Sequence, residues 1–134
     1  MPDKKKEPEL HPVLLRKIKL VLEAMAVAGM PMKITDGVRT AETQNALYQI
    51  GRTKPGKIVT NADGYMNPSN HQPKDDGYGH AVDCCFLVND KPTWDVPDEW
   101  WQAYGALCRA VGLRWGIKIS GWIDRPHAEL KPQA

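Results

Sequence analysis

The chain has 134 residues, 42% hydrophobic and 25% charged, a composition that suits one folded domain and excludes disordered and collagen-like classes. A formal net charge of +2, with Lys4, Lys5 and Lys6 as its only tight basic run, is too small a footprint for nucleic acid, although a mild positive balance is compatible with an anionic polymer such as a cell wall. Three cysteines without a CxxC spacing argue against a zinc ribbon or redox motif, and the apolar segment 13–30 is broken by Arg16, Lys17, Lys19 and Glu23, so neither a signal-peptide core nor a membrane span is expected.

In chain order, residues 1–10 are polar and expected to be frayed. Leu14, Ile18, Val21, Leu22 and Met25 then recur at helical spacing, with Gly29 and Pro31 behind them as stop signals, which predicts a first helix over 12–28. A β-like run at 32–35 leads to a turn at Asp36 and Gly37. Thr40 is placed to cap a second helix that runs to Ile50, with Leu47 and Ile50 inward and Gly51 ending it. After a turn at Pro55 and Gly56, the β-branched run Ile58, Val59, Thr60 predicts a strand. Residues 61–79 are loop chemistry, rich in Asn, Asp, Gly, Pro and Ser, and a loop of this length in a compact domain usually has a job. A strand over 80–88 ends at an Asn89, Asp90 turn. A third helix, started by Asp95 or Asp98 and stopped by Gly112, puts Trp100, Tyr104, Leu107, Cys108 and Val111 on one stripe. The run 113–115, a Gly-rich irregular piece and a last strand at 126–130 follow. With no repeat and no linker, the pattern predicts a single α+β domain over 1–134.

Metal-ligand residue types concentrate in SNHQPKDDGYGHAVD, residues 69–83. Strand alternation puts Ala81, Asp83, Cys85 and Leu87 on one face and His80, Val82, Cys84 and Phe86 on the other, so Asp83 and His80 point apart. A carboxylate in an otherwise apolar strand is costly without a cation or hydrogen bonds, and His71 on the preceding loop can fold back toward it. In DRPH, residues 124–127, Pro126 biases Arg125 to extended geometry and fixes the entry of His127, with Asp124 nearby. Two histidines and one aspartate leave a fourth tetrahedral position for water, the stoichiometry of catalytic rather than structural zinc, and Asp124 is the nearest carboxylate to shuttle a proton. Arg39 in TDGVRT is either an exposed arginine or a group that binds a substrate carboxylate or developing oxyanion, and Gln44 either supports it or is solvated. Trp100, Trp101, Trp115 and Trp122 either line a cleft or fill the core.

The ordered pieces GVRT, LYQIGRTKPGKIVTNADG, SNH, GHAVD and WIDRPHAEL together resemble the M15 family of zinc peptidases, and within it the phage endolysins of the L-alanyl-D-glutamate peptidase type, over residues 35–130. The resemblance implies that His71, Asp83 and His127 bind Zn2+, that Asp124 is the general base, that Arg39 holds substrate or the tetrahedral intermediate, and that Ser69 supports the first ligand. It also implies a small α+β domain, Hedgehog/DD-peptidase-like, with an antiparallel sheet lining the zinc cleft and about three helices. The implied partner is the peptidoglycan stem peptide, cut by a monomer without nucleic acid or stable membrane insertion, made in a host cytoplasm without a signal peptide and acting at the wall after release. The sequence departs from the family where QPKDDGY, residues 72–78, expands the loop between the SxH and GxAxD motifs and leaves His80 as a rival ligand. It departs again in WGIKISGW, residues 115–122, and at Ala128, where an aromatic is common. Two alternatives stay open: a D-Ala-D-Ala carboxypeptidase or dipeptidase, and a non-catalytic zinc-stabilised wall-binding module.

Overall fold

The computed structural model describes residues 9–116, 118–119 and 122–132. Its elements in chain order are β1 (Glu9–Leu10), α1 (Pro12–Val27), β2 (Met32–Asp36), α2 (Ala41–Gln49), β3 (Tyr78–Gly79), β4 (Ala81–Val88), β5 (Lys91–Thr93), α3 (Asp98–Ala110), β6 (Leu113–Trp115), β7 (Lys118–Ile119), β8 (Trp122–Ile123) and β9 (His127–Leu130).

The predicted helices form where pattern and punctuation agree. In α1, Pro12 occupies the first turn, where a missing N–H costs nothing, and the His11 side chain accepts from Val13 N at 3.1 Å. Thr40 caps α2 by accepting from Thr43 N at 3.1 Å, and Gly51 behind it takes the left-handed φ of 84°. The buried stripe of α3 is Trp101, Tyr104, Gly105 and Cys108; Tyr104 and Cys108 lie in it as expected, whereas Trp100, Leu107 and Val111 are only half-buried at its edge. α1 and α3 pack together over one sheet face, enclosing Leu14, Ile18, Val21, Met25, Val82, Cys84, Phe86, Tyr104, Cys108, Leu113 and Ala128. Alternation therefore holds on β4: Val82, Cys84 and Phe86 face the helices, and Asp83 faces away.

The main sheet runs β2-β4-β9-β6, with β5 also on β4, and every pairing in it is antiparallel. Register places Asp36 opposite Asp83, and Asp83 opposite His127, so these three residues form a row across adjacent strands. Directly opposed residues have Cβ atoms roughly 4.5–5.5 Å apart, which brings side chains far apart in sequence into contact.

Two sequence expectations are corrected. Residues 58–60 form no strand: they pair with no neighbour, and Thr60 instead anchors the loop to α2, its hydroxyl accepting from Gln44 Nε2 at 3.2 Å and its carbonyl from Arg52 Nη1 at 3.1 Å. β-Branched residues suit a pleated, half-buried surface, and none is offered here. Glu9 and Leu10, expected to be frayed, pair with Tyr78 and Gly79; the rest of that segment, residues 1–8, lies outside the described residues.

Candidate metal centre

His71 Nε2 lies 3.4 Å from Asp83 Oδ1, and His127 Nδ1 lies 3.3 Å from the same oxygen. One ligand atom from each of the three residues lies within 4.8 Å of the others, and no other such group occurs among the described residues. Both histidines are buried, at 2% and 3% exposure. The distant nitrogens of the two rings are tied: His71 Nδ1 sits 2.8 Å from the Gly37 carbonyl, and His127 Nε2 sits 2.7 Å from Glu129 Oε1. A carbonyl or a carboxylate accepts only, so each tie fixes a hydrogen on the outer nitrogen and turns the inner one toward Asp83.

Asp83 Oδ1 is buried and has no hydrogen-bond partner. A buried, unpartnered carboxylate oxygen between two imidazole nitrogens is a cradle for a cation, and two histidines with one carboxylate are a donor set zinc accepts. The residues present therefore fit a divalent metal. Without one, burial pushes the Asp83 carboxyl up, but its contacts with His127 and His71 and their charge outweigh this and hold it well below the usual carboxylate range. Burial likewise lowers His127, yet Asp83 and Glu129 on either side of the ring raise it to about 9.

Arg39 reaches the site, and each of its three nitrogens makes a hydrogen bond there. Its Nε donates to Asp36 Oδ2 at 2.6 Å, Nη1 to Gln44 Oε1 at 3.1 Å and Nη2 to Asp83 Oδ2 at 3.1 Å. The guanidinium thus clamps the oxygen of Asp83 that faces away from the histidines. Gln44 is fully buried and spends its amide on Thr60 Oγ1 and the Ala62 carbonyl, so it supports Arg39 and has no surface for substrate. Ser69 Oγ accepts from the backbone N of His71 at 3.2 Å, which steadies the residue but not its ring.

Asp124 sits on the turn before β9, and side chains of the packed helix and sheet hold that turn. Trp115 Nε1 donates to Arg125 O at 2.7 Å, Tyr104 Oη to Pro126 O at 3.0 Å, and Arg125 Nη1 to Asp98 Oδ1 at 2.8 Å. Burial, then the charge of Asp83, raise the Asp124 carboxyl to about 6 against the opposing pull of His127, His71 and Arg39. His80 stands elsewhere, its Nε2 2.7 Å from Asp76 Oδ2, and does not join the cluster. Of the tryptophans, Trp101 is in the core, Trp115 packs against it, and Trp122 is 44% exposed.

Three contributors escaped the sequence reading: Asp36, Gly37 and Glu129. Glu129 carried a usable signal, a charged residue two positions from His127 on the same strand face. The Gly37 contact uses a backbone carbonyl, which no side-chain pattern marks.

No family model matches the sequence. The peptidoglycan L-alanyl-D-glutamate endopeptidase CwlK of Bacillus subtilis (strain 168) is 30% identical over 132 residues, covering 92% of this chain and 75% of that protein. Among solved structures, the Serratia marcescens L-Ala D-Glu endopeptidase ChiX superposes with a TM-score of 0.59 at 20% identity, over 98% of this chain and 96% of that one. The L,D-carboxypeptidase DacB from Streptococcus pneumonia gives 0.66 at 21% identity, over 93% and 68%. The LdcB LD-carboxypeptidase gives 0.65 at 21%, over 92% and 66%. The solved structures share the fold, the CwlK match spans most of both proteins, and the chain belongs to the M15 family of zinc peptidases.

Proposed function

We propose that this protein is a zinc-dependent endopeptidase of peptidoglycan that cuts the L-alanyl-D-glutamate bond of the stem peptide. The observation that carries the reading is the unpartnered, buried Oδ1 of Asp83 facing two imidazole nitrogens whose outer partners already orient them. His71, Asp83 and His127 hold the ion. When bound, zinc supplies Lewis-acid polarisation of the scissile carbonyl and makes water a usable nucleophile near neutral pH.

The chain's own groups do the rest. Asp124, raised to about 6, is ionised at neutral pH yet more basic than an ordinary aspartate, so it takes the proton of the attacking water and returns it to the leaving amine. Arg39 keeps Asp83 in place through Oδ2, and the N–H donors not spent on Asp36, Gln44 and Asp83 are left for a substrate carboxylate or the developing oxyanion. Ser69 and Gln44 steady His71 and Arg39. The resemblance to phage endolysins supports a lytic role: synthesis in the host cytoplasm and action as a monomer on the wall once the membrane is breached. No helix among the described residues is long and apolar enough to cross a membrane.

Digestion of defined muropeptides, read by product mass, tests the reading. The expected product pair comes from cleavage between L-alanine and D-glutamate, lost on chelation and restored by zinc. Release of a terminal residue instead identifies a carboxypeptidase. Turnover that survives both chelation and Asp124→Ala refutes the mechanism, whereas a wall-binding module cuts nothing and loses folding when Asp124 is replaced.

A further inference from the structure

We propose that Glu129, braced by Asn70 and Lys74, is a positioning residue that decides which nitrogen of His127 faces the metal centre, and that the expanded 72–78 loop anchors the outer end of this strut. The inference rests on the reading of His71, Asp83 and His127 as metal ligands.

Glu129 is a carboxylate at 3% exposure, and both its oxygens are used. Oε1 lies 2.7 Å from His127 Nε2, and Oε2 accepts from Asn70 Nδ2 at 2.5 Å. The short contact is built into the strand, because residues 127 and 129 share a face of β9. With Oε2 taken by the Asn70 amide donor, Oε1 is the carboxylate oxygen presented to Nε2, as an acceptor. An acceptor at that distance requires a hydrogen on Nε2, which leaves Nδ1 as the atom turned toward Asp83. Without Glu129, the other tautomer would place a hydrogen in the space a cation needs.

The orientation of Asn70 follows from its two neighbours. Lys74 Nζ can only donate, and it contacts Asn70 Oδ1; Glu129 can only accept, and it contacts Asn70 Nδ2. A flipped amide would set donor against donor and acceptor against acceptor, so the geometry has one solution. Lys74 is in turn held by the expanded loop, donating its backbone N to Tyr78 O at 2.9 Å while Gly77 N donates to Lys74 O at 2.8 Å. That loop ends in β3, paired to β1, and is pinned again by the Asp76–His80 contact. Asn70 precedes His71 directly, so one strut ties the loop to both histidines. His71 itself is oriented by a backbone carbonyl, which leaves Glu129 as the orienting partner that evolution or mutation can tune.

The test measures zinc and cobalt(II) binding to the full chain by competition with a chromophoric chelator, together with the visible spectrum of the cobalt form. Partners of metal-bound histidines are typically worth about 10–100-fold in affinity. Glu129→Ala is expected to lose an amount of that order and to shift the cobalt spectrum, because the donor set is disturbed. Glu129→Gln, which still offers an acceptor, recovers part of the loss. Asn70→Ala and Lys74→Met lose less, in the same direction; Lys74 is exposed, so its replacement leaves folding intact. If Glu129→Ala fails to fold, Glu129→Gln and Asn70→Ala decide by the same criterion. Variants that bind both cations within about twofold of the parent, with the parent spectrum, overturn the strut alone, given the usual size of such effects. A parent chain that binds neither cation overturns the metal centre and the strut with it.

Discussion

Replacing Asp124 with asparagine is expected to lower turnover by orders of magnitude and, in the metal-free protein, to raise stability. Burial and the Asp83 charge lift this carboxyl from 3.8 to about 6, a rise worth about 3 kcal/mol of ionisation free energy. An acid whose pKa is higher folded than unfolded binds its proton more tightly when folded. Well below 3.8 both states are protonated and nothing is lost; between 3.8 and about 6 only the unfolded chain ionises, so the cost builds over that window and is complete at neutral pH. Asparagine keeps the shape without the charge. The chelated variant at pH 7.5 is therefore expected to unfold about 6–10 °C above the parent, with the gap closing near pH 4. A divalent cation held by His71, Asp83 and His127 would offset the same charge, so the gap is expected to narrow when zinc is added. Differential scanning fluorimetry across pH, with and without chelator, reads this directly, while the turnover loss is expected at about 100- to 10,000-fold. Equal midpoints at pH 7.5, or a lower midpoint for the variant, would show that Asp124 is not desolvated as described.

Three further outcomes follow from the same contacts. His127, raised to about 9 without metal, is protonated at neutral pH and must lose that proton for Nδ1 to bind an ion. Apparent metal affinity should therefore climb as pH rises toward 9, and calorimetry in buffers of different ionisation enthalpy should detect close to one proton released per ion at pH 7.5. Burial pushes the Cys84 and Cys108 thiols up to about 12, so an alkylating reagent should label neither in the native protein and both after denaturation. A Cβ on Gly105 would stand 2.5 Å from the Trp115 ring, so Gly105→Ala, normally a helix-stabilising change, should cost about 1–3 kcal/mol in denaturant unfolding.

The site was legible in the sequence wherever its information is local. The alternation of β4 set the direction of Asp83, and the ordered motifs named all three candidate ligands and Asp124. Arg39 was legible as a site residue but not in its contacts, because Asp36, Gln44 and Asp83 reach it from β2, α2 and β4. Residues 58–60 misled for a related reason: β propensity describes a surface to be covered, and whether a neighbouring strand covers it is a tertiary matter.

The amino-acid order alone determined three helices, a strand carrying an aspartate on the face opposite its core residues, and the residue types of a candidate metal site. Those follow from periods of 3.6 and 2 and from turn chemistry, which act over a few residues. Only the tertiary structure decided that Asp36, Asp83 and His127 fall in one row, which imidazole nitrogens face the shared oxygen, and that Glu129 and Gly37 hold them there. Antiparallel register and the folding back of the 61–77 loop make those choices, because each depends on contacts between residues dozens of positions apart.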